Sequence, residues 1–173
     1  MPARKPTAPV RRQRVSCAAC SPPIACRCCF AIVTVRAWRR YIAVGAGSPR
    51  GIISAGIAAM QRPSSRLLAW LGPAIGPTVY EVGEDVRQAL TTMSGALAAA
   101  FQPTRAGYWT LDLTGAARML LEQQGVTDVY GGGACTYAEA DRFFSHRRDG
   151  VTGRMATVIW LEAPSAPAYA ELP

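Results

Sequence analysis

From residue 51 onward, apolar positions recur with two periods, and each period predicts an element. In Gly51-Ile-Ile-Ser-Ala-Gly-Ile-Ala-Ala-Met60, residues Ile52, Ile53, Ala55, Ile57 and Met60 share a face, which predicts a helix that Pro63 ends. Leu67-Leu-Ala-Trp-Leu71 predicts a buried strand stopped by Gly72-Pro73. Val79 to Val82 predicts a short strand or turn. Gly83-Glu84-Asp85 then opens a helix to about Thr92, its acids suited to the positive N-terminal dipole. Trp109 to Gln124 predicts the clearest helix: Leu111, Leu113, Ala117, Leu120 and Leu121 share a face, and Gly125 is a natural C-terminal cap. Val126 to Tyr130 predicts a strand, Tyr137 to Phe144 a short helix, and Met155 to Leu161 a final buried strand. Helices and strands in this order predict an α+β domain of mixed α/β layers. The Pro/Ala-rich tail, residues 163–173, predicts a flexible end.

Composition divides the chain. Residues 1–50 hold ten Lys or Arg and no Asp or Glu, whereas 51–173 hold nine basic and eleven acidic residues, a net of −2. Five of the six cysteines (Cys17, Cys20, Cys26, Cys28, Cys29) also lie before residue 30. The formal charge of +8 therefore describes neither half. The near-neutral part gives no electrostatic reason to expect nucleic acid. No segment reaches the roughly 20 apolar residues that span a bilayer. A cytoplasmic protein with neither nucleic-acid nor membrane partners is expected.

Three readings compete for residues 1–50. An Arg-rich, acid-free targeting peptide is one, but basic residues follow its short apolar segment almost at once. A thiolate metal site is the second, since Cys17-x-x-Cys20 precedes Cys26, Cys28 and Cys29, although Cys28-Cys29 is a poor match to zinc spacing. The third is a disordered basic arm for nucleic acid, with Trp38 among Arg36, Arg39 and Arg40. A non-enzymatic protein binding nucleic acid or zinc through this arm is the alternative to an enzyme.

Several segments agree, in order, with one family. They are Trp70-Leu-Gly-Pro-Ala-Ile-Gly-Pro77, Tyr80-Glu-Val-Gly-Glu-Asp-Val86, Val129-Tyr-Gly-Gly-Gly-Ala-Cys-Thr136 and Arg142-Phe-Phe-Ser-His-Arg-Arg-Asp-Gly-Val-Thr-Gly-Arg-Met155, followed by Ile159-Trp160. Over residues 51–162 the chain resembles the laccase-domain family of the YfiH type, also called multicopper polyphenol oxidases. The resemblance implies a truncated laccase-domain fold, purine nucleoside phosphorylase activity with adenosine deaminase activity, and a purine nucleoside and phosphate as partners. It also implies a divalent metal, zinc or copper, held by two His and one Cys. That Cys lies in an A-D-C-L-P motif and one His in H-x-G-W-R-G. Both motifs belong ahead of residue 51, and neither is present in the amino-acid sequence.

Both can be encoded in another reading frame. The third base of each codon, read with the first two of the next, permits V-L-T-A-D-C-L-P across Ala19 to Arg27. It permits V-L-L-C-D-R-D-G from Cys28 through Thr34, V-A-A-V across Ala37 to Tyr41, and H-x-G-W-R-G-L-A across Tyr41 to Pro49. Two bases of each shifted residue are fixed by the protein, except where a Ser or Arg codon supplies them. We therefore expect residues 1–50 to be an out-of-frame, disordered segment, with frame restored between Pro49 and Gly51. The upstream family His would precede Met1. As written, the chain is expected to bind no metal and to be impaired as an enzyme.

Candidate site residues follow from the glycine loop and the arginine run. Cys135 ends a loop whose glycines, Gly132 and Gly133, allow close backbone approach to a ligand, with Thr136 beside them; a buried small residue is the competing reading of Cys135. Arg147 and Arg148 offer bidentate phosphate contacts, or one of them pairs with Asp149 or Asp141. His146 is the only histidine, expected as a surface polar group or a substrate contact, and a Cys135–His146 nucleophile pair is a further option. Gly131 to Gly133 lacks the Lys-Ser/Thr of a phosphate loop. The Leu111 to Leu121 stripe is expected to be core.

Overall fold

The computed structural model describes residues 51–155, apart from the side chain of Ile52, together with the backbone of four flanking strands. β1 (Ser16–Cys17) pairs antiparallel with β9 (Thr157–Val158). β2 (Cys28–Thr34) and β3 (Ala37–Ala43) are antiparallel neighbours, and β2 also pairs antiparallel with β4 (Leu68–Leu71). β4 in turn pairs in parallel with β8 (Asp128–Gly131), giving the strand order β3-β2-β4-β8. A second, antiparallel sheet has the order β5-β7-β6, from β5 (Glu81–Gly83), β7 (Tyr108–Leu111) and β6 (Phe101–Arg105). Mixed sheets with, among the described residues, four α-helices make this an α+β fold.

Hydrophobic periodicity accounts for most elements. α1 (Ile52–Ala59) buries Ile53 and Ile57, and Met60 at its end. On β4 the alternation is strict: Ala69 and Leu71 face the core, while Leu68 is exposed. α2 (Glu84–Met93) begins with Glu84 and Asp85 at its positive end. α3 (Leu113–Gln123) buries Leu113, Ala116, Ala117 and Leu121, so the apolar stripe is core. Beyond it Gly125 has φ +79°, and Val126 N–H closes on Leu121 O at 3.0 Å, the αL ending that a glycine permits.

Two expectations are corrected. Residues Trp109 to Leu111 are strand, not helix: Asp112 caps α3 by accepting Gly115 N–H at 2.8 Å, and the residues before it pair with β5 and β6. Tyr137 to Phe144 forms turns rather than a helix. Arg148 takes the carbonyls of Thr136, Tyr137 and Phe143, and the one helix of the region is α4 (His146–Asp149). Of residues 1–50, expected to be a disordered segment, β1, β2 and β3 are described as paired strands. The remainder of that segment and the tail, residues 163–173, lie outside the described residues. So do Ile159 to Leu161 of the expected last strand.

On the edge strand β8, Arg118 from α3 donates to Val129 O at 3.0 Å and to Gly131 O at 2.6 Å. One planar guanidinium thus spans two carbonyls on the side of β8 away from β4.

Candidate functional site

Parallel pairing of β4 and β8 brings their C-terminal ends together, and the loops that follow stay joined. Gly132 N–H donates to Leu71 O at 2.9 Å, Ala74 N–H to Ala134 O at 3.3 Å, and Thr136 N–H to Ala74 O at 2.9 Å. Ligands of parallel sheets bind beyond such strand ends. Gly131 is required for this turn. Its φ is +75°, and a Cβ there would lie 2.3 Å from Leu71 O.

Cys135 lies between the two loops and is half-buried. Its sulfur accepts Gly76 N–H at 3.2 Å and Ala138 N–H at 3.4 Å. Its own N–H donates to Glu139 Oε1 at 2.7 Å, and Glu139 also pairs with Arg142. The loop is therefore pinned on both sides of the thiol. Gly132, Gly133, Cys135 and Thr136 form one contiguous segment, with Thr136 buried.

The two arginines differ. Arg148 donates to Thr136 O (2.8 Å), Tyr137 O (2.9 Å), Phe143 O (2.9 Å) and both Asp149 carboxylate oxygens (2.7 and 2.8 Å). Its donors are committed to the protein, which corrects its reading as a phosphate ligand: Arg148 positions the loop. Asp149 is the salt-bridge partner, and the Arg148 hydrogen bond chiefly holds its carboxyl below the usual carboxylate range. Arg147 is exposed, lies over the Tyr80 ring at 5.4 Å, and hydrogen-bonds to no described residue. Its charge, after the larger effect of Arg105, helps to hold the Glu81 carboxyl low.

His146 does not meet Cys135. Its Nδ1 bonds Gly150 O, four residues on, while the sulfur is engaged by Gly76 and Ala138. No Cys–His pair is formed. The metal that the resemblance implies does not fit the residues present. The chain has one histidine, and among the described residues no group of three or more His, Cys, Asp or Glu is placed to hold a metal ion.

Residues 29–162 match the family model described as multi-copper polyphenol oxidoreductase laccase. The chain belongs to this family. Among its relatives is a purine nucleoside phosphorylase of Xylella fastidiosa (strain 9a5c), 41% identical over 146 residues that cover 76% of this chain and 56% of that one. Another is the purine nucleoside phosphorylase YfiH of Escherichia coli (strain K12), 42% identical over 111 residues, 64% of this chain and 45% of that one. Of solved structures, Neisseria meningitidis protein NMB0706 superposes with a TM-score of 0.73 at 40% identity, covering 81% of this chain and 59% of that one. YlmD of Geobacillus stearothermophilus superposes with a TM-score of 0.67 at 31% identity, over 76% and 53% of the two chains. The laccase-family chain thus spans about half the length of the relatives it matches.

Sequence reasoning missed the partners that pin the site. Gly76 and Glu139 both contact Cys135, and Tyr80 lies under Arg147. One signal was available: Glu139 lies four residues after Cys135, the spacing of a local side-chain-to-backbone clasp. Gly76 lies 59 residues from Cys135 and carried no local signal.

Proposed function

We propose that this chain derives from a purine nucleoside phosphorylase that binds a purine nucleoside and phosphate beyond the C-terminal ends of β4 and β8, and that as written it holds no metal and is inactive. The observation that carries the first half is the pinned loop from Gly131 to Thr136, in a chain about 41% identical to relatives named for that activity. In this reading Gly132 and Gly133 let substrate approach the backbone, and Cys135 and Thr136 form the floor. Arg147, whose guanidinium is exposed, meets the phosphate, and His146 lies at the rim. The second half is carried by the donor set: one histidine in the chain, its Nδ1 turned to Gly150. In intact relatives zinc or copper would supply Lewis-acid chemistry at such a site.

No helix among the described residues is long and apolar enough to cross a membrane, and a cytoplasmic location is proposed with the activity. The test is inosine phosphorolysis by the purified chain with zinc supplied, read as hypoxanthine release. The expected rate equals that of the buffer control. Stoichiometric zinc with measurable phosphorolysis would refute the inactivity, and failure of inosine to bind at all would refute the site.

A further inference from the structure

We propose that Asp149-Gly150 is a site of spontaneous backbone isomerisation, held closed in the folded chain by Arg148 and by the bond from the Gly150 amide to His146. The inference rests on neither the family nor the proposed activity. In this reaction a backbone nitrogen attacks the side-chain carbonyl carbon of the residue before it. Attack is easiest when the residue that carries the nitrogen has no Cβ. The chain holds no asparagine, and its five aspartates precede Val86, Leu113, Val129, Arg142 and Gly150. Asp149-Gly150 is thus the one dipeptide of the sequence whose covalent chemistry favours the step.

The fold cannot dispense with that glycine. Gly150 follows α4 with φ +66°, a conformation that L side chains rarely adopt. Nothing lies within 4 Å of the position a Cβ would take, so strain rather than crowding excludes a side chain. The turn therefore requires the residue that leaves the dipeptide chemically open. Asp149 and Gly150 are exposed, and Val151 beyond them is 100% exposed, so water reaches the site. The reaction needs no other reagent. The Gly150 nitrogen bonds to Asp149 Cγ and gives up its proton, and one carboxyl oxygen leaves as water, which closes a five-membered imide. Water then opens the imide at either carbonyl. One opening restores Asp149. The other routes the chain through the side-chain methylene and leaves a free carboxylate on the α carbon.

Both reacting groups are held back. A carboxylate is a poor electrophile, and four hydrogen bonds favour the charged form here. Arg148 Nε donates to Oδ1 at 2.7 Å and its Nη2 to Oδ2 at 2.8 Å, while Ser145 N–H and Thr152 Oγ1 each donate to Oδ2 at 3.3 Å. The Arg148 bond does most to hold the carboxyl below its usual range. The nucleophile is engaged as well, since Gly150 N–H donates to His146 O at 2.9 Å. Reaction requires the turn to open, and its rate follows the population of the open turn. The product has consequences beyond the turn. Isomerisation displaces the carboxylate from the Arg148 fork, whose remaining donors hold Thr136 O, Tyr137 O and Phe143 O. It thereby loosens the loop after Cys135 without breaking the chain.

The experiment incubates the purified full chain near neutral pH and follows isoaspartate at residue 149 over time. Peptide mapping by mass spectrometry locates it, and methyl transfer from S-adenosylmethionine by an isoaspartyl methyltransferase counts it. The same chain unfolded in urea is the open reference. The folded chain is expected to isomerise at least about tenfold more slowly than the unfolded one, and Arg148→Ala several-fold faster than the parent. Equal rates in the folded and unfolded chain overturn the proposal, as does an unfolded chain that forms no isoaspartate at residue 149. That comparison needs no variant. Circular dichroism establishes whether Arg148→Ala is folded. If it is not, Arg148→Lys takes its place, because lysine keeps the charge but not the fork. A folded variant that isomerises at the parent's rate overturns the role given to Arg148.

Discussion

Arg148 holds three backbone carbonyls and one carboxylate through a planar fork, so its removal leaves acceptors in the loop after Cys135 without donors. Arg148→Ala is expected to lower unfolding stability by about 2–3 kcal/mol. Arg148→Lys should recover little, because a point charge cannot reproduce the fork. Arg147→Ala, at an exposed position, should change stability by less than about 0.5 kcal/mol. Urea midpoints of the three variants check the contrast. The carboxylates add a pH dependence. Asp149 and Glu81 are both held below their usual range, chiefly by hydrogen bonds from Arg148 and Arg105 respectively. A depressed native value means that the unfolded chain binds more protons, so the stabilisation is present above the ordinary carboxylate range. It is lost as pH falls below about 4. Denaturant midpoints from pH 6 to pH 2 should fall in that window, and Asp149→Asn should flatten part of the decline. The arginine run was legible as chemistry but not as roles. Which of two adjacent arginines is committed depends on carbonyls that only the turns at residues 136–143 bring into reach.

At the scale of elements, α3 shows what periodicity resolves and what it does not. Leu113, Ala117 and Leu121 fell on the predicted face because burial selects a stripe. The periodicity starts the helix four residues early, because Trp109 and Leu111 extend the apolar pattern into β7. The local signal that corrects this is Asp112, whose carboxylate accepts Gly115 N–H. Asp112→Ala is expected to cost about 1 kcal/mol, visible as a lower thermal midpoint with the helical circular dichroism signature retained. β6 was hidden for a different reason. Pro103 argues against a strand, yet it lies on the sheet's edge beside a register irregularity, where a missing N–H is tolerated. The glycine loop was legible through its motif. Its anchor at Gly76 was not, since contact between the two loops follows from the parallel pairing of β4 and β8.

For the whole molecule, the chain covers about half of each relative it matches, and among the described residues β8 is an edge of the four-stranded sheet. A strand edge with unpaired carbonyls is a template on which further strands can grow. Arg118 covers two of those carbonyls, Val129 O and Gly131 O, from the neighbouring helix. This makes the guanidinium a stopper: an incoming segment must first displace a charged, bidentate donor before its own amides can bond. Arg118→Ala should leave the core intact, since the residues that α3 buries are Leu113, Ala116, Ala117 and Leu121, but should open the edge. The expected outcome is an unchanged unfolding midpoint at low concentration. Association should become concentration-dependent and raise light scattering and thioflavin fluorescence, and Arg118→Lys should protect only in part. One side chain on α3 would then set not how tightly this half-length fold holds together, but how long it stays separate from its own copies.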